Sequence, residues 1–320
     1  MSPPRLAPCA PRQVAPHVAP HAVRRLVRLA LLAPLACAAH TRALAAQAVA
    51  ARDGEGRTVV LPAPARRIAS VVPSVTDLLV ALGARAQVVA RTRYDTSAAL
   101  RGAIDVGGGL DPDLERLFAA RPDLVVAWRS QRVAPWLATV QRRGIPVFLV
   151  DTRDTTTFLA TLDGLGTLAG RAREATRARA VFRREVAAVA TRPATGAPLT
   201  GLYVVGADGV WIAGASSFVA QGLAIAGLRT PVPDVTGDFP AVSLEVLVTR
   251  DPDVLVIGRR RVPGEALATL RAKPGWSALR AVRLGRVLEV DGEAWVRPGV
   301  HFPGLVAGLR SRVDSLRAVR

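Results

Sequence analysis

The strongest constraint on this sequence is a pattern that occurs twice. Leu114-Glu115-x-Leu117, followed by Pro122-Asp123-x-Val125-Val126, recurs 130 positions later as Leu244-Glu245-x-Leu247, followed by Pro252-Asp253-x-Leu255-Val256. The step from Glu to Pro is identical in both copies. Each copy also follows an earlier apolar run and helical pattern that closes on a glycine. The same unit twice in the same order predicts two related lobes.

Around the repeat, short apolar runs alternate with helical patterns, as parallel sheets with crossover helices require. In the first half the pattern predicts strands over 68–72, 88–90, 124–128 and 147–150. Helices are predicted from Pro73 to Gly83 with Ser74 as N-cap, over 114–120, and over 135–143 up to Gly144. Residues 155–192 carry no strand signal. Within them Glu174–Arg192 has helical spacing; about 20 helical residues span about 30 Å, so this is either an ordinary surface helix or a rigid bridge between lobes. The second half predicts strands over 201–205, 254–257 and 287–290, with helices over 217–226, 244–250, 274–281 and 301–319. The expected architecture is α/β: two doubly wound lobes, 46–151 and 196–320, joined through linking helices in 152–195. Asp113 and Ser243 fall at matching N-cap positions. Glu115 and Glu245 then lie in the first turns of matching helices, where a carboxylate complements the helix dipole by about 0.3–1 kcal/mol.

The N-terminus reads as an export signal. Val23-Arg24-Arg25-Leu26-Val27-Arg28 precedes an apolar run from Leu29 to Ala39, and Ala43-Leu44-Ala45 supplies a small-residue cleavage site. The apolar run is about ten residues, half of what a membrane-spanning helix needs. Residues 1–45 are therefore expected to be removed, placing the mature chain in the periplasm. A lipoprotein anchored at Cys37 is the lesser alternative, since Pro34 stands where such a signal favours Leu. Met1 is the only methionine, and Val23 stands where an alternative start codon would, so the first 22 residues are expected not to be translated. Removal of 1–45 takes away six arginines and no acid, lowering the formal charge from +18 to +12. It also removes Cys9, Cys37, His17, His21 and His40, leaving His301 alone and no residues for a His/Cys metal cage.

The basic excess is almost all arginine, with Lys273 the single lysine, and it is scattered along the chain. Aromatics are only 4%. A nucleic-acid binder would instead gather its charge on one face with stacking aromatics interleaved. There is no G-x-S-x-G elbow, no H-E-x-x-H and no Walker A loop, and His301 has no evident nucleophile beside it. Binding is expected, not catalysis; an exported α/β enzyme is the competing class. Among the few aromatics, Trp128, Trp211, Phe239 and Trp295 follow strands or precede the Glu245 helix. Ligands bind beyond the carboxyl ends of strands in open α/β sheets, so each of the four either faces a flat ligand or fills core space; Trp136, inside a helix pattern, is assigned to the core.

The segment from Arg67-Ile68-Ala69-Ser70-Val71-Val72-Pro73-Ser74 to Ala81-Leu82-Gly83 resembles the periplasmic substrate-binding proteins of ABC importers for cobalamin, haem and ferric siderophores. The resemblance continues through Val106-Gly107-Gly108, Leu114-Glu115, Pro122-Asp123-Leu124-Val125, Ala213-Gly214-x-x-Ser217-Phe218 and Arg297-Pro298-Gly299, and Ala127-Trp128-Arg129 is most similar to the cobalamin binders. It implies two α/β lobes on one long backbone helix, with the ligand between them. It further implies ligand contacts at Trp128, Phe239 and Glu293, and permease docking through Glu115 and Glu245. Gly109 stands where the cobalamin binders have an aromatic, and Arg93, next to Tyr94, where they have a tyrosine. Haem, with Tyr94 as a source of phenolate, and siderophores, with Arg93, Arg129 and Arg297, are the alternative ligands. The expected partners are a small-molecule metal chelate and an ABC permease dimer, for a monomer without a cofactor of its own.

Overall fold

The computed structural model describes residues 47–193, 196–206, 210–259 and 264–318. The expected signal peptide, the Val23 start and Cys37 lie outside the described residues. The chain first makes a hairpin, β1 (Val49–Arg52) and β2 (Thr58–Leu61), paired antiparallel. The sequence reading missed it, although its signal is present. The strands alternate in burial about a turn in which the Asp53 carboxylate accepts from the backbone N–H groups of Glu55 and Arg57, both at 2.9 Å.

The first lobe follows as β3 (Ile68–Ser70), α1 (Pro73–Ala81), β4 (Val88–Arg91), β5 (Ile104–Asp105), α2 (Leu114–Ala119), β6 (Leu124–Trp128), α3 (Pro135–Arg142) and β7 (Val147–Val150). Its five parallel strands run in the order β5-β4-β3-β6-β7. The strand order therefore reverses between β3 and β6, the switch point where doubly wound sheets open a crevice. Strands β3, β6 and β7 are buried almost throughout, which is why they read as unbroken apolar runs. One expectation fails at α1. Val72, not Ser74, is the N-cap, with Pro73 at the first helical position. Proline presets the helical φ and has no N–H to satisfy, and Ser74 is buried inside the helix.

Two helices link the lobes: α4 (Thr155–Leu168) and α5 (Ala172–Ala190). The 19 residues of α5 span about 28 Å. The second lobe comprises β8 (Leu199–Gly206), β9 (Trp211–Ile212), α6 (Phe218–Ile225), β10 (Leu228–Arg229), α7 (Leu244–Arg250), β11 (Val254–Arg259), α8 (Glu265–Ala272), α9 (Arg280–Arg283), β12 (Val287–Asp291), α10 (Gly292–Trp295) and α11 (Phe302–Ala318). Its parallel strands run β10-β8-β11-β12, with β9 folding back antiparallel on β8. The helix expected over 274–281 is instead a single turn at 276–278 and then α9: Gly275, with a left-handed φ of 82°, stops a helix starting at Pro274, and Leu279, extended at φ −71° and ψ 131°, separates the turn from α9.

The repeat has a structural meaning in both lobes. After α2 and α7 a non-glycine residue takes a left-handed φ, 45° at Arg121 and 36° at Asp251, and then comes Pro-Asp. The Asp123 carboxylate accepts from the N–H groups of Arg66 and Arg67 at 2.8 and 2.9 Å, just ahead of β3. The Asp253 carboxylate accepts from the N–H and hydroxyl of Thr200 in β8, at 2.9 and 3.0 Å. Each repeated aspartate thus pins the start of the fourth-entering strand to the start of the first, fixing register across the switch point.

Where α4 and α5 meet the second lobe, six rings pack together. Phe158 of α4 lies 5.2 Å from Phe182 of α5 and 6.0 Å from Phe218 of α6. Phe302 of α11 stacks on Phe182 at 6.0 Å and touches Phe218 at 4.2 Å. Trp295 and Tyr203 extend the chain of contacts, at 6.2 Å from Phe302 and 6.4 Å from each other. One continuous apolar core runs from the first lobe through this joint, and a smaller one fills the outer side of the second sheet. Beside the joint the buried Arg310 guanidinium donates to the carbonyls of Arg192 and Pro193 at 3.0 and 2.9 Å, placing a cation at the C-terminal end of α5 where the helix dipole favours it.

The two aspartates differ in burial, Asp253 being 7% exposed and Asp123 open to solvent. Asp253 also pairs with Arg280 at 2.7 Å. Asp253→Ala is therefore expected to lower unfolding free energy by about 3 kcal/mol and Asp123→Ala by about 1 kcal/mol. Urea denaturation of both variants checks the ratio; equal losses would mean that the two copies are not separated by burial.

Candidate functional site

The carboxyl ends of β6 and β7 and the start of α4 face the N-terminal end of α6 and the loop before α7. Between them lies a cavity of about 350 Å³. The first lobe and linker contribute Trp128, Arg129, Asp151 and Arg153; the second contributes Ser216, Phe239 and Pro298. Trp128 and Phe239 are half-buried.

Local chemistry holds these groups in place. The Trp128 N–H donates to the Gln131 side-chain oxygen at 3.3 Å, and the Gln131 amide donates to the Gly109 carbonyl at 2.8 Å. Buried Gln131 thus ties the tryptophan turn to the glycine loop. Gly109 packs so closely on the end of β3 that a Cβ would run into the Val71 carbonyl oxygen. On the opposite wall, the Ser217 hydroxyl caps α6 by accepting from Ala220 N–H at 3.1 Å. The α4 start is fixed by reciprocal bonds between Asp154 and Thr157, and the Thr155 N–H donates across to Gln221 of α6 at 2.7 Å. Asp151 joins Arg153 at 2.7 Å and Arg129 at 3.5 Å, and Glu55 joins Arg129 at 3.5 Å. Both cavity arginines are therefore neutralised in part while keeping exposed guanidinium surface.

The expected site residues fall into three sets. Trp128 and Phe239 line the cavity. Trp295 lines it too, but it is 2% exposed and belongs to the ring joint, so it is first a core residue. Arg93, Tyr94 and Glu293 do not line the cavity; Arg297, flanked by the lining residues Val296 and Pro298, stands on its rim. Arg297 organises that rim: it donates to the Tyr94 carbonyl at 3.2 Å and pairs with Glu293 at 2.5 Å and with Asp77 of α1 at 3.5 Å. It is thus a bond between lobes and not a free ligand-binding cation. Burial raises the Asp77 carboxyl above its ordinary value, against the lowering influence of Arg297. Trp211 does not face the cavity. Folding back on β8, β9 lies against residues 240–242 and carries the indole to the surface, 49% exposed. Gln131 and Asp77 were missed by sequence reasoning, since nothing local marks a residue whose partner, Gly109 or Arg297, is 22 or 220 positions away; Arg153 was missed although its partner Asp151 is only two positions off.

Glu115 and Glu245 are exposed in the first turns of α2 and α7, behind Asp113 and Ser243, whose side chains cap the Arg116 and Val246 N–H groups at 3.1 and 3.4 Å. Among the described residues no three His, Cys, Asp or Glu side chains group to hold a metal ion. No described helix is long and apolar enough to cross a membrane.

Residues 68–294 match the family described as periplasmic binding protein. The vitamin B12-binding protein of Yersinia pestis (strain Pestoides F) is 27% identical over 201 residues, covering 62% of this chain and 72% of the relative. The periplasmic vitamin B12 binding protein BtuF of Vibrio cholerae shares the fold with a TM-score of 0.68 at 20% identity, over 79% of this chain and 98% of that one. A periplasmic heme binding protein from Pseudomonas aeruginosa gives a TM-score of 0.66 at 26% identity, over 78% and 93%.

Arg297→Ala is expected to cost less than about 1 kcal/mol of stability, because Asp77 and Glu293 are partly solvated. The Asp77 carboxyl, deprived of its cation, should titrate still higher. Carboxyl NMR titration of both proteins checks this; an unchanged or lower Asp77 pKa would contradict the cross-lobe pairing.

Proposed function

The chain belongs to the periplasmic binding protein family, and on that premise we propose that it captures a corrinoid between its lobes and delivers it to an ABC importer. It is a solute-binding protein and not an enzyme. The observation that carries the reading is the cavity between the lobes, with an aromatic from each lobe, Trp128 and Phe239, on its wall. Flat conjugated ligands gain from such faces. The cavity is at the small end of ligand sites, so a corrinoid would extend towards the rim, where Arg297 holds the Tyr94 carbonyl and Glu293. The leader in residues 1–45 would carry the chain to the periplasm, and Glu115 and Glu245, one on each lobe, would dock on a permease dimer.

A second reading has an observation of its own. Arg129 and Arg153 give the cavity cationic groups suited to carboxylates, as on haem, or to the oxygens of a ferric siderophore.

Visible spectra after incubation with cyanocobalamin and with haemin, followed by gel filtration, separate the two. Retention of cyanocobalamin is expected; retention of haemin alone would transfer the assignment. Trp128→Ala should weaken cyanocobalamin binding by about 1–3 kcal/mol in calorimetry while the fold persists.

The double variant Glu115→Gln, Glu245→Gln should bind ligand normally and lose most uptake in vesicles reconstituted with the importer. Removing one charge of a pair buried on docking costs about 2–5 kcal/mol, whereas helix-dipole carboxylates alone would leave uptake intact.

A further inference from the structure

Two large apolar side chains outside the cavity are held in solvent, one on the segment that feeds the first glutamate-bearing helix and one bridged to the segment that feeds the second. In the first lobe this is Leu110, 72% exposed, at the tip of the 107–112 loop. That loop is braced from every side: Gly107 bridges to Pro112, the Asp113 N–H donates to the Val106 carbonyl at 2.8 Å, the Gly107 N–H donates to Asp105 at 2.8 Å, and Gln131 holds the Gly109 carbonyl. In the second lobe it is Trp211, 49% exposed. Here the Ile212 N–H donates to the Pro240 carbonyl at 3.1 Å, the Val242 N–H donates to the Val210 carbonyl at 2.9 Å, and Trp211 bridges to Ala241. Residue 242 then runs directly into the Ser243 cap and Glu245. Val248, also exposed, stands three residues beyond Glu245 in α7, within one helical turn.

The two anchors come from unlike stretches of sequence, yet each is tied to the chain just ahead of a glutamate: Leu110 precedes Glu115 by five residues, and Trp211 bridges to Ala241, four residues before Glu245. A carboxylate with an apolar neighbour, presented once per lobe, fits a partner that offers the same pocket twice, as a twofold dimer does. We infer that Leu110 and Trp211 are apolar anchors of a two-point docking surface for the permease dimer, each seated beside the cation that meets Glu115 or Glu245. The inference rests on the importer reading above. It divides the labour: the glutamates orient the encounter, while desolvation of a leucine and a tryptophan supplies holding strength, tryptophan being among the residues that most often dominate interfaces. It also explains why a chain poor in aromatics keeps an indole in water and away from its own cavity.

The test measures binding of wild type, Leu110→Ser, Trp211→Ala, their double variant, and the Glu115→Gln, Glu245→Gln pair to the importer complex in nanodiscs. Cyanocobalamin affinity and thermal midpoint are measured alongside. Each anchor variant is expected to weaken docking about tenfold and the double variant more, with ligand affinity and midpoint unchanged. Normal docking by the double variant while the glutamate variant fails to dock would overturn the anchors and leave the importer reading standing. Normal docking by the glutamate variant as well, or no docking by wild type, would overturn the importer reading itself and the anchors with it. Loss of cyanocobalamin affinity in Trp211→Ala would make the indole a ligand contact. Loss of self-association on sedimentation would make a second copy the occupant. Either result overturns the proposal.

Discussion

The six-ring joint between the linking helices and the second lobe is the contact on which the rest of the molecule depends. The sequence holds seven Phe, five Trp and two Tyr. Six of these fourteen rings are spent where α4 and α5 press on α6, α10, α11 and β8. Glycine makes room for them: a Cβ on Gly222 of α6 would lie 2.9 Å from both Phe302 and Trp295. Rings are large, stiff hydrophobes with few rotamers, so a joint built from them resists both sliding and rotation. Arg310, tying α11 to the carbonyls at the end of α5, adds a buried directional bond to that apolar contact.

A rigid joint at the back determines what happens at the front. The carboxyl ends of β6 and β7 are brought against the N-terminal end of α6, and the cavity is the space left between them. Weaker polar bonds span the mouth: Thr155 to Gln221 on one side, and Arg297 to Asp77 and the Tyr94 carbonyl on the other. Apolar packing lies behind and solvated polar bonds in front, so the opening is held by the weaker contacts. The same geometry aims α2 and α7, with their capped first turns and exposed glutamates, outward from the two lobes.

Much of this was legible in the chain. The repeat gave two lobes because each copy carries the signals that its lobe needs locally: an N-cap, an apolar helix face, a residue before proline, and an aspartate leading a buried strand. The Asp113 and Ser243 caps depend on bonds three residues long, and such bonds can be read from spacing. The β1–β2 hairpin was missed although its turn is equally local, because strands of four half-buried residues give too short a pattern to weigh against a nearby export signal. Ser74 was misread as a cap because proline at the next-door position makes a side-chain cap unnecessary.

The sequence by itself determined the alternation of strands and helices, the two lobes, the length of α5, and the matched placement of Glu115 and Glu245, since each follows from contacts within a few turns of chain. Only the tertiary structure decided what the aromatics and arginines do. Trp295 went into the joint, Trp211 to the surface and Trp128 to the cavity, though all three stand near strand ends in the sequence. Arg297 became a bond between lobes, while Arg129 kept a face on the cavity. The reason is that a side chain's work depends on what lies across from it. For Trp128 that is Phe239 across the cleft, and for Arg297 it is Asp77, 220 positions away; only the packing of two lobes on one joint brings such pairs together.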